Sequence, residues 1–166
     1  IRAFHAYHTF FNPRSRLLIV GSQGGFERYT AGLCHLVGTL KNPHVHFTGH
    51  VTNEELSAFY DIADLFLCAS EHEGFCVPLV EAMAADVPVL AYAAGAVPDT
   101  LGGAGVQFAP KDLEQAAELA GALAFDDGLR RDVITRQRRR LEAFGDSRII
   151  AELTRVVSDV GHGAHA

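Results

Sequence analysis

Residues 65–92, LFLCASEHEGFCVPLVEAMAADVPVLAY, contain the pattern that decides the fold. The runs LFLCAS and PVLAYA are short and almost entirely apolar, which is typical of strands in a parallel sheet covered on both faces. Between them, PLVEAMAA predicts a helix that begins at Pro78, since proline is well suited to the first helical position. A strand, a helix and a strand in this order form the repeating unit of parallel α/β sheets.

The same alternation continues on both sides of this unit. Three further strands are predicted, at RLLIVG (16–21), VHFTG (45–49) and GVQF (105–108). Segments with the apolar spacing of helices separate them. The pattern predicts an α/β fold with a Rossmann-like, doubly wound parallel sheet. Because the chain opens within a helical pattern, we expect this sheet to lack its first strand.

The composition is that of a folded globular protein. Of the 166 residues, 48% are hydrophobic and 20% are charged, and the net charge of −6 argues against nucleic acid as the main partner. The basic run RRDVITRQRRR (130–140) fits a solvated helix face or a surface for acidic lipid or nucleic acid, and the solvated face is the simpler interpretation. No signal peptide is visible, and no apolar run approaches the ~20 residues needed to span a bilayer.

Three cysteines, Cys34, Cys68 and Cys76, form no CxxC pair. An odd number of unbridged thiols is typical of a reducing compartment. Cys34 and Cys68 lie in apolar surroundings and are predicted to be core residues. Cys76 precedes a predicted helix, whose N-terminus favours a thiolate. No histidine or asparagine partner is evident in the sequence, so a nucleophilic role is not favoured.

The candidate site follows from the predicted sheet. In doubly wound sheets, ligands bind outside the carboxyl ends of the strands. Those ends carry four loops, at residues 21–22, 49–51, 70–76 and 93–97. We therefore expect these four segments to gather along one edge.

Two carboxylates in the third loop and the helix after it, Glu73 and Glu81, are eight residues apart. The turn between them leads into a helix N-terminus, whose free amides and dipole bind anions such as phosphate. The spacing permits a Cα separation of up to roughly 19 Å, whereas the paired acids of glycosidases lie ~5 to 9.5 Å apart. The arrangement fits one acid at each end of an elongated ligand with an anionic middle, such as a sugar–diphosphate–nucleoside.

SEHEGFCVPLVEAMAADVPVLAY (70–92) resembles the E-x7-E signature of the retaining glycosyltransferases of GT-B fold, the glycosyltransferase group 1 family. The resemblance extends through LLIVGSQGG and HFTGHVTNEEL upstream and AAGAVPDTLGGAGVQF downstream. In this family a C-terminal Rossmann-like domain binds the nucleotide-sugar donor, and a separate N-terminal domain binds the acceptor. The resemblance implies that residues 1–160 are a fragment holding the donor-binding domain of a hexosyltransferase, with residues 161–166 as a tail.

The implied reaction moves a sugar from a UDP- or GDP-hexose to an acceptor hydroxyl with retention of configuration, in polysaccharide or glycoconjugate synthesis. Glu73 would be the catalytic residue, contacting the donor sugar near its reacting carbon, with positioning favoured over a nucleophilic role. Glu81 would bind the ribose hydroxyls. The diphosphate would be held by four backbone amides, those of Gly74, Phe75, Cys76 and Val77.

The resemblance also assigns the first two loops. Gly21 and Ser22 would line the donor cleft, and Gly49, His50 and Val51 would border the base. It implies a cytoplasmic enzyme, with peripheral association at the inner face of the membrane as a further option. Its partners would be the nucleotide-sugar donor and the N-terminal acceptor domain.

The sequence departs from the family pattern at several positions. Cys76 stands where many relatives have glycine, and Asp99 stands where a glutamate is usual. The glycine-rich loop and the basic residues that clamp the donor phosphates in this family have no counterpart here, and neither Lys41 nor Lys111 is placed to replace them. The isolated chain is therefore expected to have little transferase activity.

No metal or cofactor is expected, because helix amides and cations take the place of a metal in this family. The histidines His44, His46 and His50 lack a carboxylate or cysteine that would complete a metal site. Alternatives remain open: Glu81 could complement a helix dipole, and Glu73 could be a solvated loop acid. At the level of function, the alternatives are a non-catalytic nucleotide-sugar-binding or interaction module and a GT-B-like nucleotide-sugar epimerase.

Overall fold

A computed structural model describes residues 1–22 and 24–145 of the chain. The strands are β1 (Leu17–Val20), β2 (Val45–Gly49), β3 (Phe66–Cys68), β4 (Val89–Tyr92) and β5 (Val106–Phe108). The helices are α1 (Arg2–Phe10), α2 (Glu27–Leu40), α3 (Asn53–Asp61), α4 (Val77–Ala84), α5 (Val97–Leu101), α6 (Leu113–Phe125) and α7 (Asp127–Leu141), and a short 3₁₀ helix spans Glu142–Phe144. Every predicted strand is found. The predicted end of the domain, 146–160, and the tail, 161–166, lie outside the described residues.

All strand pairs are parallel, as the alternating pattern predicts. β1 pairs with β2, while β4 lies between β3 and β5. No ladder joins β1 to β3 in the part of the chain that the structure describes. In the usual doubly wound order, 3-2-1-4-5-6, the first strand separates the second from the fourth. The division between β1 and β3 therefore falls where a first strand would lie in that order, and the expectation that the sheet lacks this strand stays a prediction.

The core is organised around β4, the most deeply buried strand. Side chains alternate between the two faces of a strand, and here each face meets a different layer. Val89 and Ala91 pack in the cluster formed with α4 and α5, whereas Leu90 packs with α1 and α6. Helices cover both faces, which explains why these residues are apolar without interruption.

The basic run lies on α7, and most of its arginine side chains face solvent, as the solvated-face interpretation predicts. The buried side of this helix carries Val133 and Gln137, both at 0% exposure. Gln137 donates from Nε2 to the Val87 carbonyl oxygen and accepts from the Val89 amide, both at 2.9 Å. This glutamine therefore fixes α7 to the start of β4.

The prediction that Cys34 is a core residue is wrong. Cys34 is exposed on α2, whereas the prediction for Cys68 is confirmed, since that residue is buried. The half-buried side of α2 is a stripe of aliphatic residues at helical spacing, Leu33, Leu36, Val37 and Leu40. Cys34 falls outside this stripe and so faces solvent. No helix among the described residues has the length and hydrophobicity needed to cross a membrane.

Candidate functional site

The turn between β3 and α4 presents backbone amides at the surface. Cys76 is the N-cap of α4 and Val77 its first residue, so the helix begins one residue earlier than predicted and Pro78 is second. The amides of residues 74–77 donate no hydrogen bond to any group in the described part of the chain. Gly74, Phe75 and Val77 are exposed. Cys76 itself is buried, so three of the four unpaired amides belong to exposed residues that water or an anion can reach.

Cys76 has a left-handed backbone, with φ 61° and ψ 66°. This region suits glycine and costs other residues roughly 1–2 kcal/mol, which explains in physical terms why glycine fits this position in the family. The side chain turns into the core, where Sγ lies 3.9 Å from Sγ of Cys68.

The Glu73 carboxylate lies close to these two thiols. An oxygen of Glu73 and the sulfurs of Cys68 and Cys76 all lie within 4.8 Å of one another. Burial, then the adjacent Cys68 thiol and the charge of Glu73, raise the pKa of the Cys76 thiol to about 12. Cys76 is therefore protonated at neutral pH, which argues against a nucleophilic role for it.

The backbone of Glu73 rests on the loop that follows β4. The Ala96 amide donates to the Glu73 carbonyl oxygen at 3.1 Å. Gly95, with φ 56°, lies so close that an added Cβ would be 2.9 Å from the same oxygen. The sequence placed residues 93–97 at the ligand edge but did not single out Gly95, whose role depends on a contact between separate loops.

The other end of the turn is held by α5 and by the 3₁₀ helix that follows α7. The Thr100 hydroxyl donates to the Phe75 carbonyl oxygen at 2.6 Å, and the Phe75 ring packs edge-on against Phe144 with centroids 5.5 Å apart. Arg140 donates to the carbonyl oxygens of Asp99 and Thr100 and lies over the Phe144 ring. Three chain segments, the loop after β4, α5 and the 3₁₀ helix, thus contact a turn whose own amides donate no hydrogen bond to the described residues. The Asp99 side chain is exposed at the start of α5.

Glu81 lies in the second turn of α4 and is half-buried. The Tyr60 hydroxyl, from α3, donates to its carboxylate at 3.0 Å. Burial, the hydrogen bond to Glu81 and its charge raise the pKa of Tyr60. The first turn of α4 holds no acidic residue, and helix-dipole effects fade beyond the first turn, so the dipole explanation for Glu81 loses support. No pattern in the α3 sequence distinguishes Tyr60 from a core aromatic residue.

The first two loops lie beside each other at the ends of β1 and β2. The Gly21 amide donates to the Gly49 carbonyl oxygen at 3.1 Å, and both glycines have positive φ, 134° and 73°. Ser22 and His50 are exposed, while Val51 is half-buried. Within the described residues, no hydrogen bond joins these positions to residues 73–81. The residues predicted for the site therefore lie in two groups at the carboxyl ends of the strands, and their role in binding stays a prediction.

Among the residues that the structure describes, the histidines contribute to no group of three or more potential metal ligands. His44 is half-buried with its ring 4.5 Å from that of His8, and His46 is exposed. Within residues 1–22 and 24–145, the one set of three or more potential ligand groups is Cys68, Glu73 and Cys76. The sequence missed this set because its members come from a strand, a loop and a helix cap.

Lys41 and Lys111, the two lysines compared above with the family's phosphate clamp, lie in other surroundings. Lys41 is the left-handed C-cap of α2, before the amino end of β2. Lys111 forms a 2.8 Å ion pair with Glu71 and lies over the ring of Tyr92. Its hydrogen bond and charge lower the pKa of Glu71. Lys111 therefore contacts the third loop two residues before Glu73.

Residues 1–140 match the family described as "Glycosyl transferases group 1", and the chain belongs to this family. An MMP alpha-(1->4)-mannosyltransferase of Mycolicibacterium hassiacum is 33% identical over 116 residues, which cover 68% of this chain and 28% of that protein. An N-acetyl-alpha-D-glucosaminyl L-malate synthase of Bacillus anthracis is 29% identical over 153 residues, or 88% of this chain and 38% of that protein. The chain thus spans well under half the length of these relatives.

Solved structures show the same fold. The C-terminal domain of the glycosyl transferase group 1 protein LpcC from Francisella tularensis superposes with a TM-score of 0.69 at 23% identity, covering 86% of this chain and 77% of that chain. HepE of Anabaena, solved in complex with UDP and glucose, gives a TM-score of 0.78 at 21% identity, covering 95% of this chain and 44% of that chain. The fold is therefore that of the C-terminal Rossmann-like domain of GT-B glycosyltransferases.

Proposed function

We propose that this chain is the donor-binding part of a retaining glycosyltransferase that transfers a hexose from a nucleoside diphosphate sugar to an acceptor hydroxyl. The observation that carries the proposal is the exposed turn at residues 74–77. Its four amides donate no hydrogen bond to any of the residues that the structure describes, and it lies between the carboxylates of Glu73 and Glu81 in sequence. Family membership supports it, as do the mannosyltransferases among the relatives. HepE, a protein of the same fold, was solved with UDP-glucose.

The chemistry follows from the charge that develops on the leaving group. As the glycosidic bond to the diphosphate breaks, negative charge grows on the phosphate oxygens. Preorganised amides at a helix N-terminus stabilise such charge without a rearrangement of solvent. The amides of residues 74–77 serve this role in the proposed mechanism, and catalysis needs no metal ion.

Glu73 and Glu81 then have different tasks. Glu81, oriented by Tyr60, accepts hydrogen bonds from the ribose hydroxyls. Glu73, fixed through its backbone by the loop after β4, accepts hydrogen bonds from the sugar and positions its reacting carbon. A donor phosphate oxygen takes the proton of the acceptor hydroxyl. We place the reaction in the cytoplasm, in the synthesis of polysaccharide or another glycoconjugate.

Calorimetric titration separates these tasks. The chain is titrated with UDP, GDP and the matching UDP- and GDP-hexoses, and the variants Glu81→Ala and Glu73→Ala are compared with it. Glu81→Ala is expected to weaken binding of the nucleoside diphosphate itself. Glu73→Ala is expected to spare that binding and remove the additional affinity that the sugar provides.

Glu54→Ala is the matched control, because Glu54 is an exposed glutamate in the first turn of α3. Its affinities should equal those of the unchanged chain. Equal losses for nucleotide and nucleotide sugar in both site variants would contradict the proposed division of roles. Absence of binding to every nucleotide tested would contradict the proposed function as a whole.

A further inference from the structure

Two thiols and a carboxylate converge beneath the turn that begins α4. Cys68 ends β3, Cys76 caps α4, and Glu73 lies in the loop between them. The two sulfur atoms are 3.9 Å apart, and a Glu73 carboxylate oxygen lies within 4.8 Å of both. Both cysteines are buried, whereas Glu73 is half-buried. The cluster is therefore closed on the core side and open toward the site.

The separation of the sulfurs matches that of two ligands on one metal ion. Two thiolates bound to tetrahedral Zn²⁺ at about 2.3 Å lie about 3.8 Å apart, close to the observed 3.9 Å. A disulfide would need a sulfur separation of about 2.05 Å. The strand end at Cys68 and the left-handed cap at Cys76 thus hold the thiols at the spacing of metal ligands.

We propose that Cys68, Glu73 and Cys76 bind a thiophilic divalent cation, with Zn²⁺ as the best match. Two sulfurs and one carboxylate oxygen are a ligand set suited to Zn²⁺, and a water molecule completes a tetrahedron. On binding, each thiol loses its proton, so one Zn²⁺ releases two protons and forms two Zn–S bonds. The three anionic ligands leave the complex with one net negative charge, which the N-terminus of α4 stabilises.

Binding has a consequence for the site, which rests on the proposed function. The Glu73 carboxylate cannot hold the cation with the same oxygens that accept hydrogen bonds from the donor sugar. Zn²⁺ would therefore remove the sugar-dependent part of the donor affinity. It would act as an inhibitor at this position and take no part in the transfer reaction.

Cobalt titration of the reduced full chain tests the site. Thiolate ligands give Co²⁺ an intense near-ultraviolet charge-transfer band, and tetrahedral coordination gives visible bands. Both are expected in the unchanged chain, and Zn²⁺ or a chelator should abolish them. Cys68→Ala and Cys76→Gly should each lose about half or more of the thiolate intensity. Glycine is chosen at residue 76 because it accepts the left-handed backbone.

Cys34→Ser is the matched control, since Cys34 is an exposed cysteine on α2, outside the cluster. It should retain the full spectrum, and circular dichroism checks that each variant is folded. Cadmium-113 NMR of the unchanged chain gives a measurement that needs no variant, because the chemical shift reports how many sulfurs bind the ion. Two are expected.

Three results would overturn the proposed site: no thiolate band with reduced protein, a band that survives loss of either cluster cysteine, or a band lost in Cys34→Ser. The link to the donor is tested separately, by calorimetry with and without Zn²⁺. Sugar-dependent affinity that is unchanged in saturating Zn²⁺ would overturn the inhibition. A normal cobalt spectrum with no nucleotide binding at all would contradict the proposed function and leave the metal site standing.

Discussion

The backbone of Gly95 lies directly against the backbone of Glu73. A Cβ built at residue 95 would be 2.9 Å from the Glu73 carbonyl oxygen and 3.0 Å from its amide nitrogen. Real Cβ atoms do not approach backbone atoms so closely, and the φ of 56° at Gly95 is itself unfavourable for other residues. The position of Glu73 therefore depends on the absence of a side chain in a loop more than twenty residues away.

Replacing Gly95 by alanine is expected to displace Glu73 and to lower the free energy of unfolding by about 2–4 kcal/mol. Urea denaturation measures the loss. Gly103→Ala is the matched control, because Gly103 has φ 84° but no atom within 4 Å of an added Cβ. It should lose only the backbone cost of about 1–2 kcal/mol. Similar losses in both variants would show that the contact with Glu73 has no effect.

Tyr60→Phe removes the hydroxyl that donates to the Glu81 carboxylate at 3.0 Å. If Glu81 binds the ribose as proposed, its carboxylate loses a fixed orientation, and affinity for the nucleoside diphosphate should fall about 2- to 10-fold, as for one hydrogen bond. Calorimetric titration gives the dissociation constant. Tyr29→Phe, at an exposed tyrosine of α2, should bind as the unchanged chain does. An unaltered affinity in Tyr60→Phe would argue against a positioning role.

Gln137→Ala should be among the most destabilising single changes in α7. It leaves the Val89 amide and the Val87 carbonyl oxygen buried without their partner. The loss of both bonds and of side-chain volume should lower the free energy of unfolding by about 3–5 kcal/mol. Arg136→Ala, on the exposed side of the same helix, should change it by no more than about 0.5 kcal/mol. A small effect in Gln137→Ala would mean that other contacts hold α7 on β4.

The ion pair between Asp86 and Arg138 should make stability depend on pH. Arg138 donates to both carboxylate oxygens, at 2.7 and 2.6 Å, and thereby lowers the pKa of Asp86. Since the pKa in the folded state is below that in the unfolded state, the stabilisation is complete above the unfolded value of about 3.9 and disappears as pH falls through the folded one.

The variant Asp86→Asn isolates this effect, because asparagine also accepts the left-handed backbone at residue 86, where φ is 56°. Its thermal midpoint should be below that of the unchanged chain at pH 7, and the difference should shrink toward pH 3. The difference should also decrease in high salt, since Arg138 is exposed and Asp86 is partly exposed. A difference that is constant from pH 7 to pH 3 would contradict a charge effect.

The order of strands and helices along the chain could be predicted from the sequence, because each strand and helix has its own local periodicity. The unit around residues 65–92 shows this most clearly: a fully buried strand such as β4 must be continuously apolar. A pattern of this kind does not decide whether a residue at the margin of a helix's apolar side is buried or exposed. The prediction for Cys34 was wrong for that reason, since Cys34 lies one residue from the half-buried stripe of α2.

The candidate site was predictable in part. The loops at strand ends were located by the general geometry of parallel sheets, and Glu73 and Glu81 by their spacing. The hydroxyl of Tyr60 and the backbone of Gly95 reach Glu81 and Glu73 from more than twenty residues away in the chain. Such contacts depend on how the helices pack on the sheet, so no local sequence pattern predicts them.

The divided sheet has a consequence for handling the protein in solution. A continuous five-stranded sheet has two edges, whereas the two-stranded and three-stranded sheets of the described residues have two edges each, four in total. Every edge offers a row of unsatisfied main-chain donors and acceptors that can template the addition of a foreign strand. We therefore expect high concentrations of the chain to favour self-association through the edges that β1 and β3 present among the described residues.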